Sequence, residues 1–242
     1  MFDHVTIRVT DRHASERFYD TVLAVLGIDR TYRTRSFSEW RDFSLAEAEA
    51  EHPPTRRLHA GFVASSRERV DEFWQAGVDA GYRDDGPPGP RPEYGPDYYG
   101  GFLLDPDGNS AEAVHHDTLR RDGTVDHLWI RVADVAAAKR FYTAIAPHAG
   151  LQLGSDTPER VQFRGASGSF SLVLGTPSEN VHMAFPSHDD GAVQRFHQAA
   201  VEGGYESIGA PGERPRYHRG YYAAYVRDPD GNNIELVNHN RS

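Results

Sequence analysis

The sequence predicts an α+β fold: four βαβββ modules paired into two curled mixed β-sheets, or half-barrels, with the helices outside. Three observations predict it: a long internal repeat, strand and helix patterns that alternate inside each repeat, and a tight turn motif that closes each one. A shift of 123 residues carries His4 onto His127, Arg8 onto Arg131, Phe18-Tyr19 onto Phe141-Tyr142, His59 onto His182, Tyr98-Tyr99 onto Tyr221-Tyr222, and Glu112 onto Glu235. A unit this long means duplicated domains, because solenoid repeats recur every ~20 to 50 residues. The expected division is a first domain over 1–116, a polar linker over 117–124 and a second domain over 125–242.

In chain order, HVTIRV (4–9) alternates polar and apolar residues as a half-buried strand does. Asp11 then caps a helix whose Phe18, Tyr19, Val22, Leu23 and Leu26 share one face, with Gly27 at its end. LHAGFVAS (58–65) restarts the cycle with a strand, a cap at Ser65 or Ser66, and a helix that turns Val70, Phe73 and Trp74 inward before Gly81. Short strands lead into DPDGN (105–109), where Pro presets a turn and Asp-Gly supplies the positive-φ positions. HLWIRV, a helix around Ala136 to Ile145, HMAFPS, a helix around Ala192 to Val201 and a second DPDGN (228–232) repeat the series.

Composition narrows the chemistry. Asp and Glu outnumber Lys and Arg by 36 to 26, so the average field repels nucleic acid and anionic lipid. With no cysteine in the chain, thiolate nucleophiles, iron–sulfur clusters and sulfur-ligated zinc are excluded. Lys139 is the only lysine and falls in a polar helical stretch, which leaves Schiff-base chemistry little support. No apolar run approaches the ~20 residues of a membrane span. The expectation is a cytoplasmic protein, monomer or homodimer, whose partner is a small molecule.

Strand periodicity identifies the residues that face the concave side of each sheet. If Val5, Ile7 and Val9 pack under the helices, His4 points inward; likewise Ala60 and Phe62 leave His59 inward, and Ala111 and Ala113 leave Glu112 inward. His127, His182 and Glu235 follow the same rule. The spacings of 55 and 53 residues, His to His to Glu, recur in both halves. Two imidazoles and one carboxylate on rigid strands form a facial triad with open coordination positions. A recent duplication that left everything alike does not explain the match, because Thr6 pairs with Trp129, His13 with Ala136, Glu16 with Lys139 and Trp74 with His197.

HVTIRVTD with its later FY, the HxxF strand start, PxYxxxYY and DPDGNxxE together resemble the vicinal oxygen chelate superfamily, specifically its glyoxalase/bleomycin resistance/dioxygenase domain, twice over nearly the whole chain. The resemblance implies that His4, His59, Glu112, His127, His182 and Glu235 bind divalent metal, whether iron, manganese, nickel, cobalt or zinc. It implies a lyase, isomerase or dioxygenase acting on an oxygen-rich substrate chelated through vicinal oxygens. The alternative is a metal-free protein that sequesters a drug or metabolite, as bleomycin-resistance members do. Each site assembles either within one half or by exchange, His4 joining His182 and Glu235. Tyr225, ten residues before Glu235, resembles the active-site tyrosine of extradiol dioxygenases, although its mate is Phe102 and no histidine lies between Val161 and Leu174. Tyr94, Tyr99, Tyr217, His218 and Tyr222 are the candidate substrate-side residues. His116 and His239, four residues beyond each Glu, read as cavity-wall or exit residues, too far along a strand to share the ion.

Overall fold

Strand, helix and three strands recur four times in the computed structural model, which describes residues 1–240; Arg241 and Ser242, within the second expected domain, lie outside the described residues. The first module is β1 (His4–Val9), α1 (Arg12–Ala24), β2 (Tyr32–Arg33), β3 (Phe37–Trp40) and β4 (Phe43–Glu47); the second is β5 (Leu58–Val63), α2 (Arg67–Asp79), β6 (Arg83–Pro90), β7 (Tyr99–Leu104) and β8 (Ser110–His115). The third is β9 (Val125–Val132), α3 (Val135–Ala149), β10 (Gln152–Asp156), β11 (Arg160–Arg164) and β12 (Ser169–Leu174); the fourth is β13 (His182–Ser187), α4 (Asp190–Glu202), β14 (Ser207–Glu213), β15 (Tyr222–Arg227) and β16 (Asn233–Asn238).

The strands form two open, eight-stranded mixed sheets, ordered β14-β15-β16-β13-β1-β4-β3-β2 and β10-β11-β12-β9-β5-β8-β7-β6. The first module therefore shares a sheet with the fourth, and the second with the third. Within the sheets β5 runs parallel to β8 and β13 parallel to β16, while the β7–β8 and β15–β16 pairs are antiparallel. By compactness the chain divides inside β1 and β9: one unit is Thr6–Trp129, and the other is Met1–Val5 with Ile130 onward. Sequence duplication and spatial compactness thus cut the chain at different places.

Local chemistry explains the elements. Asp11 and Asp134 accept hydrogen bonds from Ala14 N and Ala137 N, each supplying an acceptor to an otherwise unpaired N–H at a helix start. Phe18, Tyr19, Val22 and Leu23 are buried as expected, and Tyr19, Phe43 and Phe62 meet with ring centroids 4.8 and 5.0 Å apart. Tyr142, Phe163 and Phe170 repeat that packing in the other unit, at 5.8 and 4.8 Å from Tyr142. Each such ring contributes ~1.5–3 kcal/mol through burial. Leu26 and Trp74 are only half-buried, because α1 ends at Ala24 and the Trp74 indole turns to donate to Asp84. The third helix runs past the expected Ile145 to Ala149, carrying Pro147 in its last turn. No helix among the described residues is long and apolar enough to cross a membrane.

The two DPDGN turns do more than reverse the chain. Asp105 Oδ1 accepts from Asp107 N and Asn109 N, while its Oδ2 accepts from the buried Tyr19 hydroxyl. Asn109 Oδ1 then accepts from Leu58 N at 3.1 Å, which fixes the start of β5 against β8. Asp228, Tyr142, Asn232 and Val181 N repeat the arrangement beside β13. Of the Asp-Gly pairs only Gly108 (φ 82°) and Gly231 (φ 87°) take positive φ, because the carboxylate of the first Asp organises the rest of the turn.

Candidate metal centres

The turns place a histidine and a glutamate on adjacent parallel strands in each unit. His59 opens β5 one residue beyond the Asn109 clamp, and Glu112 lies on β8 opposite Gly61. His182 and Glu235 stand in the same relation on β13 and β16. The third ligand comes from the first strand of the other repeat. His127 Nε2 lies 3.2 Å from Glu112 Oε2 and 3.3 Å from His59 Nε2, and His59 Nε2 is 2.9 Å from the same oxygen. His4 Nε2 lies 3.5 Å, and His182 Nε2 2.9 Å, from Glu235 Oε2. The six candidate ligands therefore gather as His59, Glu112 and His127 and as His4, His182 and Glu235, each trio with donor atoms within 4.8 Å. Of the two assemblies open to the sequence, the structure has the exchanged one; His4 does not meet His59 and Glu112.

Both glutamates are buried, and each is held at its second oxygen. Tyr98 donates to Glu112 Oε1 at 2.8 Å, and Tyr221 to Glu235 Oε1 at 2.7 Å. The Nδ1 atoms are held as well: His127 to Asp126 at 3.0 Å, His4 to Asp3 at 2.8 Å, and His59 to Ser110 Oγ at 3.1 Å. A side chain bound at Nδ1 presents Nε2 toward the centre.

Each pocket sets buried carboxylates against imidazoles. Burial alone would raise Glu112, yet hydrogen bonds and charge from His127 and His59 push it down to about 2. Glu235, likewise opposed by burial, is carried well below the carboxylate range by His182 and His4. Asp3 and Asp126 are ionised for the same reason, through paired histidines that outweigh burial. Burial would lower His4 and His127, but their hydrogen bonds to Asp3 and Glu235, and to Asp126 and Glu112, push each up to about 10. Two carboxylates facing otherwise neutral imidazoles hold a proton in the metal-free protein, and the same charge and donor set fit a divalent ion in its place.

Tyr225 faces Glu235 across β15 and β16, its ring 6.4 Å from that of His182. Its hydroxyl is buried, and burial with the Glu235 charge raises its pKa, so it stays protonated. Phe102 holds the matching place beside Glu112. Tyr94 packs against Trp129 at 5.4 Å, Tyr217 against Tyr221 at 4.8 Å, and His218 against His239. Tyr99 and Tyr222 correct the expectation of a substrate-side role. Strand alternation turns them the other way, where Tyr99 donates to Asp71 on α2 and Tyr222 accepts from Gln194 on α4. Asp3 and Asp126 were not among the expected site residues, although the 123-residue shift carries one onto the other.

Comparison with known proteins places the fold in a family. Residues 1–113 and 124–236 each match the Glyoxalase/Bleomycin resistance protein/Dioxygenase superfamily. No curated protein sequence matches the chain. Among solved structures, glyoxalase I from Zea mays superposes with a TM-score of 0.69 at 16% identity, over 98% of this chain and 92% of that one. Its V278E mutant gives 0.72 at 17% identity, with the same coverage. A provisionally assigned dioxygenase from Bacillus subtilis gives 0.68 at 14%, over 100% of this chain and 86% of that one. At these identities the likeness is one of fold.

Proposed function

The chain belongs to the glyoxalase/bleomycin resistance protein/dioxygenase superfamily, and from that premise we propose that it is a divalent-metal-dependent enzyme acting on a small substrate through two adjacent oxygens, by lyase, isomerase or dioxygenase chemistry. The observation that carries the reading is the convergence of six side chains, matched across a diverged duplication, into two equivalent His, His, Glu trios. His59, His127 and Glu112 hold one ion, and His4, His182 and Glu235 the other. A bound divalent ion, whether iron, manganese, nickel, cobalt or zinc, supplies Lewis acidity toward vicinal oxygens.

The chain's own groups do the rest. Tyr98 and Tyr221 fix one oxygen of each ligating carboxylate, leaving the other for the centre. Tyr225, its protonated hydroxyl buried beside Glu235, donates a hydrogen bond to the substrate at the His4 centre. The exposed rings of Tyr94 and Tyr217, with His218, bind the substrate's remaining surface.

Elemental analysis of the purified protein tests the reading. Wild type holds two divalent ions per chain, and Glu112→Ala and Glu235→Ala hold one each. Wild type that takes up no ion, even after incubation with excess metal, overturns the proposal in favour of metal-free sequestration.

A further inference from the structure

Beyond each trio the aspartate that holds a ligand's Nδ1 is itself held by a further histidine, which the metal reading does not use. Asp126 Oδ2 accepts from His127 at 3.0 Å and also lies 3.2 Å from His116 Nε2. Asp3 meets His4 through Oδ1 at 2.8 Å and His239 Nε2 through Oδ2, also at 2.8 Å. These are the histidines four residues beyond each glutamate. They do not ligate; they reach the centre through a carboxylate. A carboxylate caught between two imidazoles recurs at equivalent positions in both units, while its surroundings have diverged. His116 Nδ1 contacts Thr118 Oγ1, and His239 Nδ1 contacts His218, where the first repeat has Gly95.

Partnering alone does not account for this arrangement. An isolated buried aspartate needs hydrogen bonds, and any donor would serve. Here each aspartate takes the Nδ1 of the one histidine that joins its glutamate from the other repeat, on the strand residue next to it. Neighbouring strand side chains ordinarily point to opposite faces, so Asp126, within β9, must turn back to make that bond, and Asp3, one residue before β1, makes the same one. The outer histidine then helps to hold the carboxylate in that position, joined at Asp126 by Arg120 N, which donates to the other oxygen at 3.2 Å.

We propose that Asp126 with His116, and Asp3 with His239, are positioning pairs: they lock the Nδ1 of the first-strand ligand, aim its Nε2 at the metal and raise its strength as a donor. The proposal rests on the metal-centre reading and is tested so that the two can fail separately. The probe is Co2+, titrated into the metal-free full-length protein and followed by its visible spectrum. Wild type takes up two ions. Asp126→Asn lowers affinity at the His127 centre by ~10–100-fold and shifts that centre's absorption, leaving the His4 centre as it was. Asp3→Asn does the converse. His116→Gln and His239→Gln produce smaller losses of the same kind, with the thermal midpoint of the metal-free protein unchanged. Should an aspartate variant fail to fold, the outer-histidine variants decide. Two bound ions with unaltered affinity and spectrum in the variants overturn the proposal, whereas wild type that binds no Co2+ overturns the metal-centre reading itself.

Discussion

The His127 and His4 centres are built from the same three ligands, but the backbone closes around them differently. A Cβ added at Gly61 would lie 2.3 Å from His127 Cε1, and one at Gly100 would lie 2.3 Å from Glu112 Oε1. The matching positions in the other unit are Ala184 and Ala223, both buried. At Gly61 and Gly100 there is no room for a methyl group, and the first trio is also the tighter: His127 is 8% exposed against 24% for His4, and stands 3.2 rather than 3.5 Å from its glutamate. The His4 centre is the more exposed and has Tyr225 where the other has Phe102. Its outer layer also continues to the half-buried His218. On the proposed metal reading, the first centre would hold its ion the more tightly and the second would leave more room for substrate.

Substitutions can break that contrast. The largest effect is expected from Gly61→Ala, whose methyl displaces the His127 ring and removes one metal equivalent, ~100-fold or more in affinity, while the His4 centre keeps its ion in the same titration. Next is Tyr225→Phe, which lowers turnover of whichever vicinal-oxygen substrate the protein accepts by ~10²-fold without loss of metal, as removal of one oriented donor does elsewhere; equal turnover in steady-state kinetics would strip Tyr225 of its role. Tyr98→Phe and Tyr221→Phe each free one carboxylate oxygen, and a charged hydrogen bond of ~1.5 kcal/mol corresponds to roughly tenfold weaker metal binding, read by calorimetry at each centre. The smallest is Ala184→Gly, where no methyl obstructs His4, so the affinity of its centre stays within ~2-fold of wild type; a gain of tenfold would show that Ala184 holds that centre open.

Much of this was legible in the sequence because it repeats. The four modules, the caps at Asp11 and Asp134 and all six candidate ligands follow from periodicity and the shift of 123 residues. The grouping of ligands was not, since strand alternation says which way His4 points but nothing about which strand lies beside it. Tyr98 and Tyr99 were distinguishable only once the register of β7 was known, because a slip of one residue exchanges their faces. Asp126 was hidden for the opposite reason: alternation assigns it to the far side of β9, and only the turn of its side chain toward His127 Nδ1 brings it into the site. Gly61 and Ala184 differ by one methyl, a difference with no meaning until the ring beside it is seen.

The division of the chain inside β1 has a consequence for biosynthesis. Every group of the His127 centre belongs to the continuous stretch Thr6–Trp129, its two histidines only 68 residues apart. At the His4 centre, Asp3 must meet His239 across 236 residues. On a ribosome the residues of the first trio have all been made midway through synthesis of this sequence, while His4 waits for Glu235, 231 residues later, so the first trio can assemble earlier than the second.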